Sequence, residues 1–349
     1  MSYPMNTSSS SSTSGTNRIL ELTLSDILAV IKPSEEDVTA RTRAIDELKA
    51  FVNQSAVEYS SLRGATVYPF GSYVCNLYTR WGDLDISIHI QDPSRCSTAL
   101  RNLQEAVSRR GHIFRITKFI PNARVPLLVV ESKNHNNITC DISISNYAGV
   151  FKSRFLDWEW AKFKGINSSR DGTFTSYALC LLVIYHFQTC EPPILPPLKE
   201  MHDGQMVGDN VNFPDFQDLR NKMTANVERF KRWRFTNTSS LSELFVSFFL
   251  KFSKFELAND NYNYFCTYTG KWEERAGSVF ALYERTYLYI KDPFARAENA
   301  ARGVYDTSKI SEAFRTTYGM LISASGRDRL PLISNLVRPE ISFQVIARG

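Results

Sequence analysis

Residues 81–90 read WGDLDISIHI, and from Asp83 onward polar and apolar side chains alternate. Successive side chains of a β-strand point to opposite faces. Leu84, Ile86, Ile88 and Ile90 therefore share one face, and Asp83, Asp85, Ser87 and His89 share the other. A carboxylate is costly to desolvate without a partner, so two on one strand face call for either a structural partner or a chemical task. Residues two apart on a strand lie about 6.5 Å from each other, near enough for both acids to reach a pair of ions spaced about 3.5–4 Å. Oxygen ligands of this kind suit Mg²⁺ or Mn²⁺ rather than zinc.

The pattern recurs at 137–144, NITCDISI, where Asp141, Ser143 and Ser145 alternate with Ile142 and Ile144. If the two strands are neighbours, Asp141 sits beside the first pair, and three carboxylates on one sheet face make a two-metal site. An isolated Asp-x-Asp arises by chance about once in a chain of this size, most often in a solvated turn. This one lies between strand residues and has a third acid to match. Upstream, PFGSYVCNLYTRWGD (69–83) puts Gly71 and Ser72 between the strand ATVYPF (65–70) and a short helix. A glycine there lets backbone approach a ligand closely, and a serine beside a helix start binds phosphate oxygens.

Working outward, HIFRITKF, RVPLLVVES and a helix near 96–110 complete a compact α/β unit over 57–148. Helices follow at 173–189, 215–234 and 240–253, the last opening on a capping box from Ser240 to Glu243 and turning Leu241, Leu244, Phe245, Phe248 and Phe252 inward. They define a mainly helical domain over 149–330, with a tail at 331–349. The first residues, MSYPMNTSSSSSTSGT, have the composition of a disordered tail (1–17) and carry neither the apolar stretch of a secretory signal nor the arginines of a transit peptide. Helices at 24–32 and from Ser34 to about Val52 occupy 18–56 and are expected to pack on the helical lobe. The fold class is α/β + α: a bilobal chain with a small mixed-sheet catalytic domain and a mainly helical central domain.

With 349 residues, 43% of them hydrophobic, the chain can bury a large core. Its longest apolar run, YALCLLVIYHF (177–187), is too short to span a bilayer. Six cysteines without a CxxC pair read as reduced thiols in a cytoplasmic or nuclear setting and argue against structural zinc. The net charge of +5 is concentrated in two stretches. Arg101, Arg109, Arg110, Arg115, Lys118, Arg124 and Lys133 face only Glu105 and Glu131, while Arg220, Lys222, Arg229, Lys231, Arg232 and Arg234 face only Glu228. Each stretch is either an ordinary solvated helix face or a surface that neutralises phosphates.

The order strand, Gly-Ser, helix, DxD strand and later Asp strand resembles the DNA polymerase beta-like nucleotidyltransferases. Within them, the chain resembles terminal uridylyltransferases and noncanonical poly(A) polymerases, most of all the plant enzymes that uridylate small RNAs. PFGSYVCNLYTRWGDLDISI, TCDISISN, GTFTSYALCLLVIYHFQTC, PPILPPL, SSLSELFVSFFLKFS and DPFARAENAAR carry the likeness, which covers roughly residues 20 to 320. It implies that Asp83, Asp85 and Asp141 are catalytic and hold two Mg²⁺ (or Mn²⁺) ions. It places Gly71, Ser72, Lys162 and Ser176 on the triphosphate, Tyr177 stacked on the base, Asp292 near the base edge and Lys152 at a nucleotide-contacting position. Without the likeness, Tyr177 reads as a core aromatic and Lys162 as a surface charge.

The implied activity is template-independent addition of nucleotides, chiefly uridines from UTP, to the 3′ ends of small RNAs or RNA fragments. The implied partners are an RNA 3′ end, a nucleoside triphosphate and small-RNA effector proteins. A poly(A) polymerase of the same fold stays open, because Glu298 stands where uridine-selective relatives carry His. An inactive RNA- or partner-binding paralogue also stays open. FKSRFLDWEWAKFKGIN (151–167) is shorter than its counterparts by about fifteen residues, roughly 22 Å of helix, and Trp158 stands where relatives carry a nucleotide-contacting lysine.

Overall fold

A computed structural model describes residues 10–74, 78–146, 149, 173–200, 237–254, 263–274, 288–294, 298–323 and 329–347. Lys152, Lys162, the shortened stretch at 151–167, the helix expected at 215–234 and its basic residues lie outside the described residues. The chain divides into two units, one of Ile31–Glu159 with Asp209–Phe216, the other of Met1–Val30, Trp160–Gly208 and Gln217–Gly349.

The first unit is built on a five-stranded sheet: β1 (Thr66–Phe70), β2 (Leu84–His89), β3 (Phe114–Ile120), β4 (Leu127–Ser132) and β5 (Thr139–Ile144), in the spatial order β1-β2-β5-β4-β3. β2 and β5 run parallel and the remaining neighbours antiparallel, making a mixed sheet. Leu84, Ile86 and Ile88 of β2, Cys140 and Ile142 of β5, and Leu128 and Val130 of β4 face one side. There they pack against α2 (Glu35–Glu58) through Ala44, Ile45, Leu48, Phe51 and Val52, and against α4 (Cys96–Arg109) through Ala99, Leu100, Leu103, Ala106 and Val107. A short α3 (Gly71–Val74) joins β1 to the loop before β2.

Helix α2 starts where the sequence predicts. Ser34 Oγ accepts from Asp37 N at 3.1 Å while Asp37 Oδ2 accepts from Ser34 N at 2.9 Å, a reciprocal capping box. Its apolar stripe, however, covers the sheet, so α2 belongs to the sheet unit and not to the helical lobe. An amphipathic pattern specifies that a face is buried, not what covers it.

In the second unit, α1 (Ser10–Ile31) buries Leu20, Leu24, Ile27 and Val30 at helical spacing. It begins inside the Ser/Thr-rich stretch expected to be disordered. Once a packed stripe has nucleated a helix, each further residue adds one backbone bond, even at poor propensity. α5 (Ser176–Thr189) and α6 (Leu241–Ser253) occupy their predicted spans, and the Ser240–Glu243 capping box is formed. Of the residues expected inward on α6, Phe245 and Phe252 are buried, Phe248 packs among neighbouring rings and Leu241 and Leu244 are partly buried, while Phe249 joins the buried set. Phe248, Phe249 and Phe252 pack with Phe314 of α7 (Thr307–Ser323) at ring separations of 5.7 to 5.8 Å. Two further features differ from the sequence expectation. A three-stranded sheet, ordered β7-β6-β8, forms from β6 (Asn263–Cys266), β7 (Lys271–Glu274) and β8 (Ile290–Lys291). The stretch expected to be a tail carries α8 (Arg329–Leu336) and α9 (Pro339–Ile346), which bury Leu332, Ile333, Leu336 and Val345.

Two buried histidines set an acid limit to stability. Burial pushes His89 down to about 4, and burial together with the Lys251 charge pushes His186 down to about 4, against the hydrogen bond to the Leu244 carbonyl. The unfolded chain takes these protons near pH 6.5. Stability from each is therefore complete above 6.5 and lost as the pH falls from 6.5 to 4, by roughly 3 kcal/mol for His186 at the low end. A melting series across this window is expected to decline, and less steeply in His186→Gln; equal slopes would exclude His186 as a contributor.

Candidate active site

One row of paired residues crosses the sheet: Phe70 on β1, Asp85 on β2, Asp141 on β5, Val129 on β4 and Lys118 on β3. Paired residues point to the same face, here the one opposite the helices. The parallel register sets Asp85 directly beside Asp141, and Asp83 stands two residues before Asp85, exposed at the head of β2. Asp85 and Asp141 are half-buried. Further along the same face Ser87, His89 and Ser143 are buried, so the acids mark its open end. The serines serve the backbone: Ser87 Oγ accepts from Asn146 N at 2.9 Å, and Ser143 Oγ donates to Ile86 O at 3.2 Å.

Burial first, then the charge of Asp83, push the Asp141 carboxyl up to about 6, and Lys118 acts in the opposite sense. Strict alternation would place Lys118 on the core side with Phe114 and Ile116. A bulge between Ile116 and Lys118 shifts the register and brings it opposite Val129, into the acid row. Composition identified Lys118 only as part of a basic stretch. The rest of that stretch is largely occupied with acids or carbonyls: Arg109 pairs with Glu105, Arg110 with Glu58 and Arg115 with its cross-strand neighbour Glu131, and Lys133 donates to Gly111 O.

Gly71 follows β1 with φ +68°, and a Cβ placed there would lie 1.7 Å from Asp85 Oδ2. The glycine is therefore required by an acid of the site, whatever ligand it also admits. Ser72 follows it, half-exposed, in α3.

Among the described residues no three or more His, Cys, Asp or Glu side chains are grouped so as to hold an ion by themselves. The aligned acids suit a Mg²⁺ site of the open kind, in which one or two carboxylates per ion are completed by phosphate oxygens and water.

In the other unit, Thr175 caps α5, its side chain accepting from Ala178 N at 3.1 Å, and Ser176 is exposed at the first turn. Tyr177 Oη donates to Asp292 Oδ1 at 3.1 Å, and the same oxygen accepts from Phe294 N at 2.9 Å. Asp292 is only 1% exposed. Its carboxylate anchors Tyr177, and burial followed by the Asp292 charge pushes that phenol well up.

A mixed sheet with a Gly-Ser turn, paired acids on one strand and a third acid in register on its parallel neighbour defines a nucleotidyltransferase of the polymerase beta type. The chain belongs to the terminal uridylyltransferase and noncanonical poly(A) polymerase family. The family described as poly(A) RNA polymerase, mitochondrial-like, central palm domain matches residues 20–158. Protein HESO1 of Arabidopsis thaliana is 41% identical over 90% of this chain, which spans 66% of that relative's length. Terminal uridylyltransferase cid1 of Schizosaccharomyces pombe is 24% identical over 78% of this chain and 71% of its own. The solved fold of the Cid1 poly(U) polymerase, MgGTP bound, superposes with a TM-score of 0.66 at 20% identity, covering 96% of this chain and 99% of that one.

Proposed function

We propose that this chain is a template-independent RNA 3′-terminal nucleotidyltransferase that adds uridines from UTP. The observation that carries the reading is the register of β2 on β5, which sets Asp85 beside Asp141 with Asp83 two residues away. Asp83, Asp85 and Asp141 would hold two Mg²⁺ or Mn²⁺ ions, which when bound polarise the attacking hydroxyl and neutralise charge on the departing pyrophosphate. The 3′ hydroxyl oxygen forms a bond to the α-phosphorus as the bond to the bridging oxygen breaks, and pyrophosphate leaves. Asp141, in register beside Asp85, stands where it would accept the hydroxyl proton. Gly71 and Ser72 would meet the triphosphate, as would Ser176, and Tyr177, held by Asp292, would stack on the base. Lys152 and Lys162 belong to the same reading from the family likeness.

Purified protein given a labelled RNA, Mg²⁺ and each nucleoside triphosphate in turn is expected to extend the RNA fastest with UTP. Faster extension with ATP would make the chain a poly(A) polymerase. RNA binding without extension by any triphosphate would make it an inactive paralogue, as the stretch at 151–167 invites.

A further inference from the structure

The loop that delivers Asp83 is held from a distance in sequence by one buried cation. Arg41, in the second turn of α2, is 3% exposed. Its Nη2 donates to Gly82 O at 2.7 Å and to Arg80 O at 2.9 Å, with Thr79 O at 3.5 Å, while Nη1 donates to Asp37 O of its own helix at 3.2 Å. The guanidinium lies over the Tyr78 ring, 4.9 Å from its centre. One side chain thus engages Tyr78, Thr79, Arg80 and Gly82, the residues leading directly into Asp83. Neighbouring contacts strengthen the brace. Thr42 Oγ1 meets Tyr73 Oη of α3 at 3.2 Å, Arg80 N donates to Ile31 O at 2.9 Å, and Arg80 Nε lies 3.7 Å from Asp37 Oδ2.

A guanidinium presents several donors in a rigid plane and an ammonium does not. The planar fork fixes several loop carbonyls in one plane while its face lies on the ring. A loop preceding a strand is otherwise free to vary its carbonyl directions, and with them the direction of the next side chain. We propose that Arg41 is a positioning residue for the metal-binding acids, fixing the 78–82 loop so that Asp83 stays in line with Asp85 and Asp141. The inference rests on the reading of those acids as the metal site.

Binding of Mn²⁺ in the presence of UTP, followed by the electron paramagnetic resonance of free Mn²⁺, tests both separately on the full chain. The variants are Arg41→Lys, which keeps charge and stem but loses the fork, Arg41→Gln, Asp83→Asn, and Leu48→Ala. Leu48→Ala opens a cavity on the core side of the same helix, where Leu48 is fully buried. Each is read well below its own melting temperature. Removing a group that orients a metal ligand weakens binding by about 10–100-fold, and Arg41→Lys and Arg41→Gln are both expected in that range, with Leu48→Ala at the parent value. At saturating metal, the KM for UTP of Arg41→Lys is expected to equal the parent's. Parental Mn²⁺ affinity in either folded Arg41 variant, or an equal loss in Leu48→Ala, overturns the positioning role. Unchanged binding in Asp83→Asn overturns the metal site itself, and the inference with it.

Discussion

Asp83→Asn is expected to abolish RNA extension while leaving the melting temperature close to that of the parent. The Asp83 charge opposes that of Asp141 but favours the buried Arg41 guanidinium, so the two effects of its removal on folding offset each other. Asp83 is exposed, so the isosteric change removes no packing. Its charge is the second cause, after burial, that pushes the Asp141 carboxyl up to about 6. Without it, Asp141 ionises more readily, and like-charge repulsion on the sheet face falls. On the proposed reading, the reaction loses one of the three carboxylates that would hold the metal ions where pyrophosphate departs. Removing one preorganised electrostatic group from a reaction centre typically costs about a hundredfold to a thousandfold in rate, and a loss at or beyond the upper end is expected in steady-state extension with UTP. Extension above a tenth of the parental rate at saturating Mg²⁺ would remove Asp83 from the mechanism. A fall in melting temperature would show that its charge supports the fold.

The acids are legible in the sequence because a strand with a period of two has only two faces. Once Leu84, Ile86 and Ile88 are assigned to the core, Asp83 and Asp85 have one direction left. The same logic finds Asp141, and the capping chemistry of Ser34 and Ser240 places two helix starts. What escapes it is the non-local and the irregular. Arg41 reads in sequence as one more charge on a polar helix face; its burial depends on a loop some forty positions away. Lys118 stands out in the sequence only as one charge of a basic stretch; alternation from Phe114 and Ile116 would turn it to the core side, and a bulge, which leaves no mark in composition, puts it in the row of Asp141. Ser87 and His89 share the face of the acids yet are buried, because alternation gives the direction of a side chain and not what covers it. Strands as short as β7 and β8 have too few residues to display a period at all.

The second large effect is expected from the smallest change, Gly71→Ala. A Cβ at this position would fall 1.7 Å from Oδ2, 2.5 Å from Cγ and 2.8 Å from Cβ of Asp85. Rotating the carboxylate away relieves the first two approaches but not the third, since Asp85 Cβ is fixed by the backbone of β2. Either the acid leaves its rotamer and β1 and β2 separate locally, or the turn at Gly71 rebuilds. The backbone adds a second penalty, because an L-residue at φ +68° costs roughly 1–2 kcal/mol relative to glycine. The first response displaces Asp85 from Asp141 and the second moves the Gly-Ser turn off the site, so extension is expected to fall by about a hundredfold or more, with weakened Mn²⁺ binding where Asp85 moves. Ser72→Ala provides the contrast. It removes the hydroxyl proposed to meet the triphosphate and leaves the acids in place, so metal binding is expected to stay parental while kcat/KM for UTP falls roughly tenfold, as for one charge-assisted hydrogen bond. If Gly71→Ala extends RNA within threefold of the parent, the packing of Gly71 on Asp85 is not what the reaction requires. If it fails with metal binding intact, the glycine acts through the approach of the triphosphate to its backbone, and the two roles of the Gly-Ser turn are separated by that single comparison.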